Sequence, residues 1–124
     1  MSKIAVIGIS TLFPGASTPE RFWQNLVENR DSTSDATRDQ MGVDPEGLYS
    51  ATGHADDKYY CMRGGYIRDF AMDADQMDVS DDQLKQMDDL NRWSLYAARE
   101  ALRDGGCLGD SELLKRCGVI LGNL

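Results

Sequence analysis

His54 is the single histidine in this chain of 124 residues, and no CxxC pair occurs among its three cysteines, Cys61, Cys107 and Cys117. A zinc centre needs several His or Cys ligands at set spacings, so no metal site is expected. The odd cysteine count, with no secretory signal, fits reduced thiols better than a disulfide framework. No apolar run approaches the roughly 20 residues a membrane span needs. Met1-Ser2-Lys3 passes straight into an apolar run with no signal-peptide pattern, so a cytoplasmic chain away from membranes is expected. Positive charge is also short, 13 Lys and Arg against 21 Asp and Glu, for a net charge of −8. That balance argues against nucleic acid, where cations must neutralise phosphates. It leaves a basic partner or, more simply, a solvated acidic surface. With 41% hydrophobic and 27% charged residues, the composition is that of a globular chain, one domain or part of one.

Two apolar ribbons near the ends organise the rest. Ile4-Ala5-Val6-Ile7-Gly8-Ile9 opens the chain and Gly118-Val119-Ile120-Leu121-Gly122 closes it. Both are short, continuous and rich in β-branched residues, as in strands covered on both faces. The expected class is α/β, with Ile4–Ile9 and Val119–Leu121 as neighbouring parallel strands joined by a right-handed helical crossover.

Between them, Gly8 invites a dinucleotide-binding reading that fails. The second and third glycine positions of G-x-G-x-x-G hold Ser10 and Phe13, and Pro14-Gly15 intervene before any helix. Thr18 as N-cap and Pro19 at the first turn predict a helix to about Asn29, with Phe22, Trp23, Leu26 and Val27 packing on the sheet. Arg30–Met62 reads as a long surface excursion holding at most short turns. Gly64-Gly65 suggests a turn into a short strand at Tyr66-Ile67. Ser80 and Gln83 form a capping box for a helix to about Gln86. Asp88 caps a longer helix to Asp104, stopped by Gly105-Gly106. Leu90, Ser94, Ala97, Ala98, Ala101 and Leu102 would share its sheet-facing side, and Arg92, Arg99, Glu100 and Arg103 would lie toward water. A brief helix near Glu112–Lys115 completes the pattern.

Four stretches, in this order, resemble the N-terminal part of β-ketoacyl synthase domains of the thiolase-like fold. Ile4–Ile9 with Phe13-Pro14-Gly15-Ala16 is similar to the opening strand and its F-P-G-A exit. Phe22-Trp23, Leu26 and Arg30-Asp31 follow the F-W-x-x-L and G-R-D pattern, with Asn29 in place of Gly. Gly64-Gly65-Tyr66-Ile67 through Asp69-Phe70 and Asp73 resembles G-G-F-(I/L)-x-D…F-D. Met87-Asp88, Arg92 and Ala97–Leu102 resemble the M-D-P-Q-Q-R…A-x-E-A-L helix, although Asp89 replaces Pro and Leu90-Asn91 replace the Gln pair. Gly118–Gly122 matches the G-V-(F/I)-(I/L)-G strand. The wording of Asp56–Cys61, Gly64–Ile67, Asp88–Asn91 and Gly118–Leu124 is most similar to the first ketosynthase of PfaC-type subunits of polyunsaturated fatty acid synthases.

The resemblance implies the N-terminal portion of a thiolase-like fold, parallel strands with crossover helices, incomplete as a domain. Residues 1–124 would be the N-terminal segment of a β-ketoacyl synthase domain that continues beyond Leu124. That domain is an acyltransferase performing decarboxylative Claisen condensation of acyl and malonyl thioesters. Its partners would be an acyl carrier protein, the remainder of the synthase polypeptide, and a homodimer mate or a chain-length factor. The carrier delivers substrate on phosphopantetheine, and no cofactor is bound directly. The family's nucleophilic Cys and two His would lie past Leu124, so no catalytic, cofactor-binding or metal residue is assigned here, and the segment alone is expected to be inactive. Cys61, Cys107 and Cys117 fit structural positions, and His54 a solvated loop. A chain-length-factor-like parent without the nucleophile, or a non-enzymatic docking module, are the alternatives.

Overall fold

The computed structural model describes residues 3–68, 70–72, 74, 77 and 79–122. Local chemistry sets the helices. Helix α1, Pro19–Val27, starts where Thr18 Oγ1 accepts the Arg21 N–H at 3.2 Å and proline occupies the first turn. It ends two residues earlier than expected, with Asn29 left-handed at φ 51°. The excursion holds more than turns: strand β1 (Ser34–Asp35) and two single-turn helices, α2 (Arg38–Met41) and α3 (Pro45–Leu48). Strand β2, Arg63–Gly64, pairs antiparallel with β1, so the expected strand falls before Tyr66-Ile67. The Ala36 N–H donates to the Met62 carbonyl at 2.9 Å, closing the base of the excursion.

Helix α4, Asp81–Gln86, carries the reciprocal Ser80–Gln83 cap. Helix α5, Asp89–Asp104, is capped by Asp88, whose carboxylate accepts the Asn91 N–H at 2.8 Å. Gly106 takes the left-handed turn after it, at φ 66°. Helix α6, Ser111–Leu114, sits one residue before its expected place.

The ribbons are a correction. Among the described residues, neither Ile4–Ile9 nor Val119–Leu121 is a strand, and β1–β2 is the only sheet. No backbone hydrogen bond joins the ribbons. A strand exists only when its ladder is paired, and apolar β-branched composition supplies the propensity without the partner. The parallel pair with a crossover is therefore not formed here.

Two packing expectations fail for the same reason. Without a sheet beneath it, α1 leaves Trp23 67% exposed, with Leu26 and Val27 exposed too. Phe22 packs instead on Phe13, ring centroids 4.8 Å apart. The buried residue of α1 is Asn25, 6% exposed, whose Nδ2 donates to the Gly15 carbonyl at 3.0 Å. On α5, Arg99 and Glu100 turn inward. Their side chains pair at 2.6 Å, and that of Glu100 is only 12% exposed because Arg103 also reaches it. Leu90, expected toward the sheet, is exposed.

Candidate functional site

The α5 end and the first ribbon meet at two glycines. A Cβ on Gly8 would fall 2.2 Å from the Ala101 carbonyl oxygen and 2.8 Å from the Gly105 nitrogen, and one on Gly105 would fall 3.1 Å from the Ile7 oxygen. Only glycine permits that crossing. Three side-chain bonds then hold the ribbon's exit on the helix. The Asp104 carboxylate accepts the Ile9 N–H at 2.8 Å, the Ser10 hydroxyl donates to the Ala97 carbonyl at 2.7 Å, and the Tyr96 hydroxyl donates to the Ser17 carbonyl at 2.9 Å. Burial, and then the Glu100 carboxylate, push the Tyr96 phenol up from its ordinary 10.0, so it remains a donor at neutral pH. Phe70 adds an edge-on contact to Tyr96 at 4.7 Å. Gly8 thus serves packing, and no phosphate cradle forms around it.

Beside this brace lies an open apolar cavity of about 750 Å³, walled by both ribbons (Ile7 and Ile120 among them) and by Ile67, Trp93, Ala97 and Leu102. Among the described residues no Lys or Arg lines it, so they offer no cation there to a phosphate such as that of phosphopantetheine. Its volume would suit a small molecule. Its walls do not, because Ile4 is 96% and Ile120 98% exposed on the ribbons that form it. Surface area decides between a ligand pocket and an uncovered interior. The chain exposes 10006 Å², whereas a folded monomer of its mass exposes about 6,600 Å². It therefore buries about half of its unfolded surface, when a domain half its size already buries about 60%. The cavity thus lies on a chain that exposes far more surface than a folded monomer of its mass.

A second polar cluster anchors the sheet. The Asp31 carboxylate accepts the Thr33 hydroxyl at 2.6 Å, the Thr33 N–H at 2.8 Å and the Arg63 guanidinium at 2.7 Å. These donors, Thr33 first, hold the Asp31 carboxyl well below its ordinary 3.8, and the same pairing raises Arg63. The Arg68 guanidinium reaches the Asp35 carbonyl and Gln40, tying the excursion to the same base.

The sequence candidates do not converge. Cys61 is exposed near β2, and its thiol faces the Arg63 carbonyl at 3.6 Å. Cys107 is half-buried against the Gly105 carbonyl at 3.3 Å, and Cys117 is exposed. Cys107 and Cys117 both border the apolar cavity. His54 is exposed on the excursion, and among the described residues no hydrogen bond joins it to a thiol. No group of three or more His, Cys, Asp or Glu residues that could hold a metal occurs among them either. Asn25 was not legible as an anchor, since its burial depends on the Gly15 carbonyl ten residues away. Nor was the Gly8 crossing, since the Ala101 carbonyl it meets lies far along the chain.

Residues 1–124 match the family model described as "Beta-ketoacyl synthase, N-terminal domain". The chain belongs to the β-ketoacyl synthase family. The resemblance read from the four motif stretches is borne out. The β-ketoacyl synthase match extends to named relatives. One is a polyunsaturated fatty acid synthase polypeptide of a Thraustochytrium species, 32% identical over 121 residues, covering 98% of this chain and 4% of the relative. Another is pikromycin polyketide synthase component PikAIII of Streptomyces venezuelae, 34% identical over 118 residues, covering 94% of this chain and 7% of the relative. A solved structure titled "PfaC Keto synthase-Chain length factor" superposes with a TM-score of 0.70 at 49% identity, covering 81% of this chain and 11% of that one. The sequence likeness to PfaC-type proteins is thereby supported, and the backbone shares the fold of part of a ketosynthase structure. The chain spans well under a tenth of the length of either curated relative. No helix among the described residues is long and apolar enough to cross a membrane.

Proposed function

We propose that residues 1–124 form the leading portion of a β-ketoacyl synthase domain that continues past Leu124. In that domain a Cys thiolate outside this segment takes an acyl group from a carrier thioester and releases the carrier thiol. A malonyl thioester then loses CO2, and its α-carbon attacks the enzyme-bound acyl carbonyl. The new C–C bond yields a β-ketoacyl thioester and regenerates the thiolate. Two imidazoles, also outside the segment, stabilise the charge that develops on the thioester oxygen. This chain's part is architectural: it supplies the Gly8–Gly105 crossing and one wall of the interior. In the continuous domain the Ile4–Ile9 and Val119–Leu121 ribbons pair as parallel neighbours with α5 on their crossover. An acyl carrier protein brings the substrates on its phosphopantetheine arm, and a homodimer mate or chain-length factor completes the assembly.

The observation that carries this reading is the family match across 1–124, together with 49% identity to the PfaC structure. A chimera tests it, with this chain replacing the matching segment of the PfaC ketosynthase. The expected result is retained decarboxylative condensation, unchanged when Cys61, Cys107 and Cys117 are replaced by Ser together. A folded chimera without activity, or one that loses activity with those thiols, would overturn it. The second reading is a chain-length-factor-like parent with this fold and no nucleophile, which no relative favours over the synthase. Identifying the residue at the nucleophile position of the parent decides between the two.

A further inference from the structure

We infer that Met41 and Tyr59 form an oxidation-sensitive latch, which holds the returning limb of the excursion on α2 and which a hydroperoxide opens. The Tyr59 hydroxyl donates to the Met41 sulfur at 3.1 Å, across 18 residues of chain. The backbone of the limb also converges on Tyr59. Its N–H donates to the Leu48 carbonyl at 3.0 Å, and its carbonyl accepts the Ser50 N–H at 2.9 Å. Helix α2 has a tether of its own, because the Gln40 side chain accepts the Arg68 guanidinium at 3.1 Å. The phenol therefore ties the limb to an anchored helix. Losing that bond frees the limb and leaves α2 in place. Neither residue has a part in the condensation chemistry above.

A thioether is a weak acceptor and an oxidisable one. Its sulfur carries two lone pairs, and the Tyr59 O–H occupies one of them. Met41 is half-buried, so a small hydroperoxide reaches the other. The sulfur attacks a peroxide oxygen, an S–O bond forms, the O–O bond breaks, and the remaining oxygen leaves as water or an alcohol. Sulfur is oxidised by two electrons and the peroxide is reduced by two. The product is polar and chiral at sulfur. Attack on the open face makes one epimer, whereas an oxygen on the phenol's face would fall between the two bonded atoms. The acceptor is then an oxygen turned away from Tyr59, and the phenol loses its partner. Reduction restores the thioether, so the latch closes again.

The test treats the 124-residue chain with dilute hydrogen peroxide and reads two quantities. One is the epimer ratio of Met41 sulfoxide after digestion, taken from the fraction that each of the two stereospecific sulfoxide reductases removes. The other is hydrogen exchange at the Ser50 amide, with the Ala36 amide at the base of the excursion as control. The expected result is one epimer in large excess, with Ser50 exchange about fivefold faster and Ala36 unchanged. Tyr59→Phe keeps the ring and removes the donor. It should even the epimer ratio and speed Ser50 exchange before any peroxide is added. Met41→Leu should make Ser50 exchange indifferent to peroxide. Failure of Met41 to oxidise would overturn the latch, as would an even ratio in the unaltered chain or a ratio that Tyr59→Phe leaves alone. So would Ser50 exchange that oxidation does not move, or that peroxide moves equally in Met41→Leu.

Discussion

Gly8→Ala should peel the first ribbon from α5. The added Cβ would stand 2.2 Å from the Ala101 carbonyl oxygen, where an ordinary C···O contact is about 3.3 Å. The obstructing atoms are helix backbone and cannot swing aside, so the ribbon must retreat by about 1 Å. That retreat stretches the 2.8 Å bond from the Ile9 N–H to Asp104 beyond hydrogen-bonding range. Overpacking costs about 1–3 kcal/mol and the lost bond about 1 kcal/mol. The sum, about 2–4 kcal/mol, raises the local opening equilibrium by at least thirtyfold. Hydrogen exchange at the Ile9 amide reads this directly and needs no global unfolding transition. Gly47→Ala is the control, since a Cβ there meets nothing within 4 Å. Equal exchange in the two variants would refute the crossing argument.

Heated alone, the 124-residue chain should bind an apolar dye before heating and show no cooperative transition; a sharp transition without dye binding would instead support an independent docking module. Thr18→Ala should cost α1 about 1 kcal/mol, read as faster exchange at the Arg21 amide. The Asp31 carboxyl is depressed, so its contribution is present above its ordinary 3.8 and is lost only as pH falls below that value. The Tyr96 phenol is raised, so its contribution is present below 10.0 and is lost as pH rises through its higher folded value. Exchange across both clusters should therefore be independent of these groups between about pH 5 and 9, once corrected for intrinsic rates, and Asp31→Asn should abolish the acid limb. Glu100→Gln should loosen the second half of α5 by about 1–2 kcal/mol, because Arg99 keeps its half-buried position without its partner.

What could be read in advance was what neighbours in sequence decide. Thr18-Pro19, Ser80 with Gln83, and Asp88 each satisfy helix N–H groups within three residues, and all three helices begin where those residues require. Thr37 with Gln40 has the same spacing, and the Gln40 side chain accepts the Thr37 N–H at 3.1 Å. It went unread because the surrounding Asp, Ser and Gly suggested loop throughout. Contacts made across the chain were not legible. The ribbons have strand composition but no ladder. Glu100 turns inward because Arg99 and Arg103 flank it, which periodicity alone places in water. Of the candidate site, the motifs carried the family, whereas the cavity forms between segments far apart in the chain and leaves no mark on residue order.

The β1–β2 clasp, with the Ala36–Met62 bond at its base, brings the two ends of a 25-residue detour together. Lengthening it is cheap, since closure entropy rises only with the logarithm of length. Gly53, left-handed with open space around it, is where a fluorescent peptide or affinity tag could be spliced in, giving a handle on the molecule that the rest of the fold would not feel.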